Sequence, residues 1–119
     1  MDLVDWRPFL KAALERNPVS LDGLKEMEKD EVFQLLLSLP NESIYDGKRL
    51  AQPDEVWNFG RGDGIEKAIL LANFLHHQPG RPNMSLAVND SEIILVSGEK
   101  KFRFQSSKGL RRLNETLNF

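Results

Sequence analysis

Apolar positions along this chain recur at helical spacing in its first two thirds and alternate at strand spacing after that. From Asp5 to Arg16 the residues Trp6, Leu10, Ala13 and Leu14 fall on one side of a helix, with Asp5 as the expected N-cap and Pro8 in the first turn, where proline is tolerated. Ser20 is expected to cap a second short helix through about Met27. A third, Glu31 to Leu39, carries Val32, Phe33, Leu35, Leu36 and Leu37 before Pro40 stops it. Met27, Val32, Phe33 and Leu36 read as core, because their spacing needs no ligand to explain it. Residues 41–53 are polar and non-periodic, which predicts a surface loop, and Asp54 to Phe59 a helical turn.

The best-defined helix starts at Asp63. With Glu66 three residues on it forms a capping box, and Ile65, Ala68, Ile69, Ala72 and Leu75 line one side. Leu70, Leu71 and Phe74 carry the apolar surface most of the way round, leaving a narrow polar stripe of Glu66, Asn73 and His77, so this helix should be buried on several sides to about His77. After the break at Pro79, Gly80, Arg81 and Pro82, three strands are expected: Met84 to Val88, Glu92 to Ser97 and Lys101 to Gln105. Asn89-Asp90 and Gly98-Glu99 turn them into an antiparallel meander. A short helix from about Lys108 to Leu117 is expected last, weakened by Gly109. The pattern therefore predicts an α+β fold: a helical N-terminal part and a central buried helix packed on a small three-stranded antiparallel sheet.

With 119 residues, 40% of them hydrophobic, one domain spanning 1–119 is expected. The net charge of -2 argues against nucleic acid or an anionic membrane as partner. Residues 1–60 hold 7 Lys+Arg against 12 Asp+Glu, and residues 61–119 hold 9 against 6. Lys100, Lys101, Arg103, Lys108, Arg111 and Arg112 account for the basic excess, and the reading favoured for them is a solvated face. No cysteine is present, which removes disulfides, thiolate metal sites and thiol nucleophiles. The N-terminus lacks the basic start and apolar run of a signal peptide, and no apolar stretch reaches the ~20 residues that span a bilayer. The expected location is the cytoplasm, unless the chain is a domain cut from a longer exported protein. Neither a cofactor nor a metal is expected.

The segment Leu50-Ala51-Gln52-Pro53-Asp54-Glu55-Val56-Trp57, followed by Gly60-Arg61-Gly62-Asp63-Gly64-Ile65-Glu66-Lys67-Ala68-Ile69-Leu70-Leu71-Ala72, resembles the core motif of the bacterial transglutaminase-like domains. Members of that superfamily show a Pro-x-Glu turn, then Gly-Asp-Cys-x-Asp/Glu-x-Ala-x-Leu-Leu, then a three-stranded meander bearing a histidine and an aspartate. The close match covers about a fifth of the chain. The resemblance implies a reduced transglutaminase-like or papain-like core in which a cysteine on the first helical turn feels the dipole and ionises readily. Here that position is Gly64. The histidine position aligns with Ser91 or Glu92 and the aspartate position with Gln105 or Ser106, so all three catalytic positions are degenerate.

Other signals carry less. His76 and His77 lie about twelve residues, so ~18 Å, beyond Gly64 along the helix, and as neighbours they point in different directions. Arg61-Gly62-Asp63 spells an adhesive tripeptide, yet Asp63 is better explained as a cap. Gly60-x-Gly62-x-Gly64 lacks the strand and lysine of a phosphate loop. Trp57 can stack a ligand or pack under the loop. The first expectation for function is a non-catalytic binding or interaction module for a peptide, a glycan or a protein partner. Its inherited surface would be lined by Trp57, Arg61, Asp63, Gly64 and residues near Glu92 and Gln105. The alternatives are a hydrolase or transferase using Ser85, Ser91, Ser106, Glu92 or His77, and a structural or oligomerising domain, the oligomeric state being undetermined.

Overall fold

The computed structural model describes residues 7–47, 49–80 and 83–117. Five helices come first: α1 Arg7–Glu15, α2 Pro18–Leu24, α3 Lys29–Ser38, α4 Pro53–Phe59 and α5 Gly64–His76. Four strands follow: β1 Met84–Asn89, β2 Glu92–Ser97, β3 Lys100–Gln105 and β4 Leu113–Thr116. They form one antiparallel sheet in the order β3-β2-β1-β4, so the fold is α+β. The caps expected at Asp5 and the packing of Trp6 lie outside the described residues, as do Arg81 and Pro82 of the break before β1.

α5 lies at the centre. Every one of its residues is buried, and it packs against α1, α3, α4, β2 and β3. The polar stripe expected along it is therefore dry at Glu66 and Asn73, and only His77, the C-cap, reaches solvent. The sheet offers α5 one apolar face, on which Leu86, Leu95 and Phe102 stand in register across β1, β2 and β3. Phe33 of α3 meets the edges of Phe102 and Phe104 at ring-centroid distances of 5.0 and 5.3 Å. The opposite face carries Ser85, Ala87, Ile94, Val96, Lys101 and Arg103, partly or fully exposed, which gives β3 the alternation read from its sequence.

Three local expectations are corrected. The sheet has four strands, because residues 113–116 pair with the free side of β1 instead of forming a helix. Gly109, at a φ of 62°, turns the chain there, and the weakly apolar run Leu113-Asn114-Glu115-Thr116 alternates in burial as an edge strand does. Ser20 does not cap α2. Asn17 occupies the N-cap with Pro18 at the first helical position, and the first-turn N-H groups of Val19 and Ser20 donate to the Asp54 carboxylate at 3.1 and 2.8 Å. α3 starts two residues earlier than expected, at a capping box between Glu28 and Glu31.

Candidate functional site

The start of α5 is built from two buried carboxylates. Gly60 adopts a left-handed conformation (φ 66°) that ends α4, and the chain turns through Gly62, whose N-H donates to the Pro40 carbonyl at 3.2 Å. Asp63 then caps α5 by accepting from the Ile65 N-H at 3.1 Å. Its carboxylate also accepts the Ser106 hydroxyl at 2.5 Å, the Ser107 N-H at 2.8 Å and the Ser107 hydroxyl at 3.2 Å. Glu66 accepts the Asp63 N-H at 2.8 Å, and the Ser43 hydroxyl and Ala51 N-H at 2.7 Å each. Asp63 and Glu66 are 1% and 0% exposed, so these bonds are what makes the burial of two charges tolerable. Lys67, buried beside them, donates to the Leu39 carbonyl at 2.7 Å. Loss of water pushes its pKa below the usual lysine value, and the Asp63 charge opposes that only in part.

Gly64 has no room for a side chain. A Cβ there would stand 2.0 Å from the carbonyl oxygen of Gln105 and 2.5 Å from its carbonyl carbon, distances that real atoms do not adopt. The backbone at the end of β3 lies directly on the first turn of α5, where the resemblance puts a nucleophile.

The positions that the resemblance aligns with a catalytic histidine and aspartate do come together around this contact. Glu92 and Gln105 are register partners, the Ser106 N-H donates to the Ser91 carbonyl at 2.7 Å, and the Ser106 hydroxyl reaches Asp63. Their polar groups are spent on one another or face water. Glu92 pairs with Arg103 at 3.4 Å, and Gln105 gives its carbonyl to the Asn41 amide at 3.0 Å. Arg61 points away to Glu42 at 3.3 Å on the surface. The Trp57 ring packs against Gly23, where an added Cβ would stand 2.1 Å from it, so this aromatic is held in the contact between α2 and α4.

Of the remaining candidates, Ser85 is in β1 on the far sheet face, and Ser91 is exposed in the β1-β2 turn. His77, at the opposite end of α5, has its Nδ1 2.9 Å from the Asn73 carbonyl. The basic residues disperse: Lys100 pairs with Asp30, Arg103 with Glu92, and Arg112 donates to Asn89. No cluster of metal-ligating side chains occurs among the described residues.

One functional-looking element was not legible beforehand. The Lys108 ammonium donates to three carbonyls of the 41–52 loop, those of Tyr45 at 3.1 Å and of Gly47 and Arg49 at 2.7 Å each. The Tyr45 hydroxyl makes a short hydrogen bond to Glu55, which raises its pKa, and the Arg49 guanidinium stacks 3.9 Å from its ring. A run of polar residues between helices, followed much later by a lone lysine, contains no local signal of such a clasp. Two shallow cavities flank it, of about 450 Å³ beside Ser91, Ser106 and Ser107 and about 230 Å³ beside Ser43, Asp63 and Lys108, and neither is lined by Gly64.

The chain matches no protein-family model, and no curated protein or solved structure matches it significantly. No helix among the described residues is long and apolar enough to cross a membrane.

Proposed function

We propose that this chain is a non-catalytic, transglutaminase-like domain that serves as a binding or interaction module for a peptide or glycan. One contact carries the reading: the Gln105 backbone fills the space that a nucleophile on the first turn of α5 would need. The acids beside it support the same view, because Asp63 and Glu66 accept hydrogen bonds from backbone and serine donors, which suits a structural role better than proton transfer. The alternative hydrolase would need His77 beside a serine, and His77 lies about 20 Å along α5 from the serines at its start. The test is an assay for amidase, protease and transglutaminase turnover on the purified chain, with background rates expected. Turnover that disappears in Ser91→Ala or Glu92→Gln would overturn the proposal.

A further inference from the structure

β3 is the last strand on one side of the sheet, and most of its outer edge is open. The turn between β2 and β3 has two residues, Gly98 and Glu99, with Gly98 at a φ of 59°, so the flanking pair Ser97 and Lys100 exchange both backbone bonds. The alternation of an antiparallel ladder then makes Leu95 with Phe102, and Ile93 with Phe104, the other bonded pairs. Lys101, Arg103 and Gln105 consequently turn their N-H and C=O groups away from β2. Gln105 is already covered, since its carbonyl accepts the Asn41 amide at 3.0 Å and its backbone lies on Gly64. The N-H and C=O groups of Lys101 and Arg103 meet no other segment among the described residues.

α3 runs beside this edge. Asp30 pairs with Lys100 at 3.1 Å at one end, Phe33 meets Phe102 and Phe104 in the middle, and Asn41, just past α3, reaches Gln105 at the other end. Asp30, Phe33 and Leu37 share one stripe of the helix, at spacings of three and four. Leu37 is 47% exposed and Phe33 only partly buried, so apolar surface stands next to the unpaired backbone. The side chains of Lys101 and Arg103 lie on the outer face of the sheet. Arg103 shares Glu92 at 3.4 Å, and Lys101 has no carboxylate partner among the described residues. Pairing of two copies through this edge would set lysine and arginine against arginine and lysine, so like charge opposes a second copy as the occupant.

We infer that the β3 edge takes an extended peptide of a partner protein as a fifth, antiparallel strand, and that this peptide alternates acidic and apolar residues. Two of its residues exchange backbone bonds with Lys101 and Arg103. Directly opposite residues share a face, so acids at those two positions meet the ammonium and the guanidinium on the outer face. The residue between them, opposite Phe102, points to the inner face towards Phe33 and Leu37, and is apolar. This assignment deepens the binding-module reading and rests on it, but moves the peptide from the closed start of α5 to the edge of the sheet.

The test is a backbone-amide NMR titration of the full chain with acetyl-Val-Glu-Val-Glu-Val-amide, followed by hydrogen exchange on the complex. Saturable shifts are expected at residues 100–104 and at 33 and 37. Exchange should slow at the Lys101 and Arg103 amides and stay unchanged at Phe102 and Phe104, which β2 already holds. Methylating the two glutamate nitrogens of the peptide, which face the edge, should abolish binding, whereas methylating the central valine nitrogen, which faces away, should not. Acetyl-Val-Lys-Val-Lys-Val-amide should bind about tenfold more weakly, as expected when two cross-strand pairs change from opposite to like charge. Lys101 and Leu37 are exposed, so Lys101→Glu and Leu37→Ser should keep a native spectrum. The first should remove the preference for the glutamate peptide, and the second should weaken both peptides about threefold. No saturable shift, shifts elsewhere, or equal binding of the two methylated peptides would overturn the inference. So would slow exchange at Lys101 and Arg103 that depends on protein concentration without peptide, because a second copy would then hold the edge. Enzymatic turnover would sink the non-catalytic reading without touching this titration, whereas a silent titration on an inactive protein would sink the edge site alone.

Discussion

At Gly64 two ordinary effects of adding a methyl group oppose each other, and their magnitudes differ enough to predict a sign. Alanine is favoured over glycine inside a helix by about 1 kcal/mol. A Cβ 2.0 Å from the Gln105 carbonyl oxygen forces backbone on backbone, and neither side can swing away as a long side chain would. Overpacking of that kind costs about 1-3 kcal/mol or more. Gly64→Ala is therefore expected to destabilise the protein by about 2 kcal/mol in urea unfolding, despite the better helix former. A neutral or stabilising result would mean that β3 does not lie on the first turn of α5. Asp63 and Glu66 follow a related logic, since each buried carboxylate ties α5 to a distant segment, to Ser106 and Ser107 in one case and to Ser43 and Ala51 in the other.

Among elements, the helices of the N-terminal part cap one another. The Asp54 carboxylate at the start of α4 accepts the first-turn N-H groups of α2, while the Asn17 side chain that precedes α2 accepts the Asp54 N-H at 3.1 Å. Orphan donors at two helix starts are thus satisfied reciprocally. The 41–52 loop is held the same way from outside itself, by Glu66 at Ala51 and by Lys108 at three carbonyls. Lys108→Met should release only the Lys108 side of that clasp. Amide hydrogen exchange is expected to quicken at residues 45–49 and stay slow at Ala51. The stability loss should be about 1 kcal/mol, because the freed carbonyls are near the surface and regain water. Unchanged exchange at 45–49 would show that the loop is rigid without the clasp.

For the whole molecule, one apolar core runs from Leu10 of α1 through α5 to Phe104 of β3 and Leu117 beyond β4. Because α5 contacts both the helical layer and the sheet, neither can lose its packing without exposing the buried face of α5. Chemical unfolding should therefore be a single transition, with tryptophan fluorescence, to which Trp6 and Trp57 both contribute, coinciding with far-ultraviolet circular dichroism. Separated midpoints would show two units. β4 adds to this coupling, since it returns from beyond β3 to pair with β1 and Arg7 of α1 reaches its Glu115 at 3.3 Å.

Where the information was local, the chain's pattern sufficed. The Asp63-Glu66 capping box, the length of α5 and the three-stranded meander depend on neighbours within a few residues, and helical or strand periodicity carries them directly. Gly64, Ser91, Glu92, Gln105 and Ser106, which the resemblance singles out, lie far apart in sequence, and pairing between β2 and β3 with the packing of β3 on α5 is what puts them in one region. Pairings that close large loops were not legible. Residues 113–116 have too few apolar positions to signal a strand, and become one because β1 offers an unpaired edge. Asp54 capping α2, Lys108 clasping the 41–52 loop and α3 flanking the β3 edge each join segments tens of residues apart, so no spacing along the chain encodes them. The absence of a nucleophile at Gly64 could be read from its identity; that the space itself is closed was decided by where tertiary packing laid the backbone of Gln105.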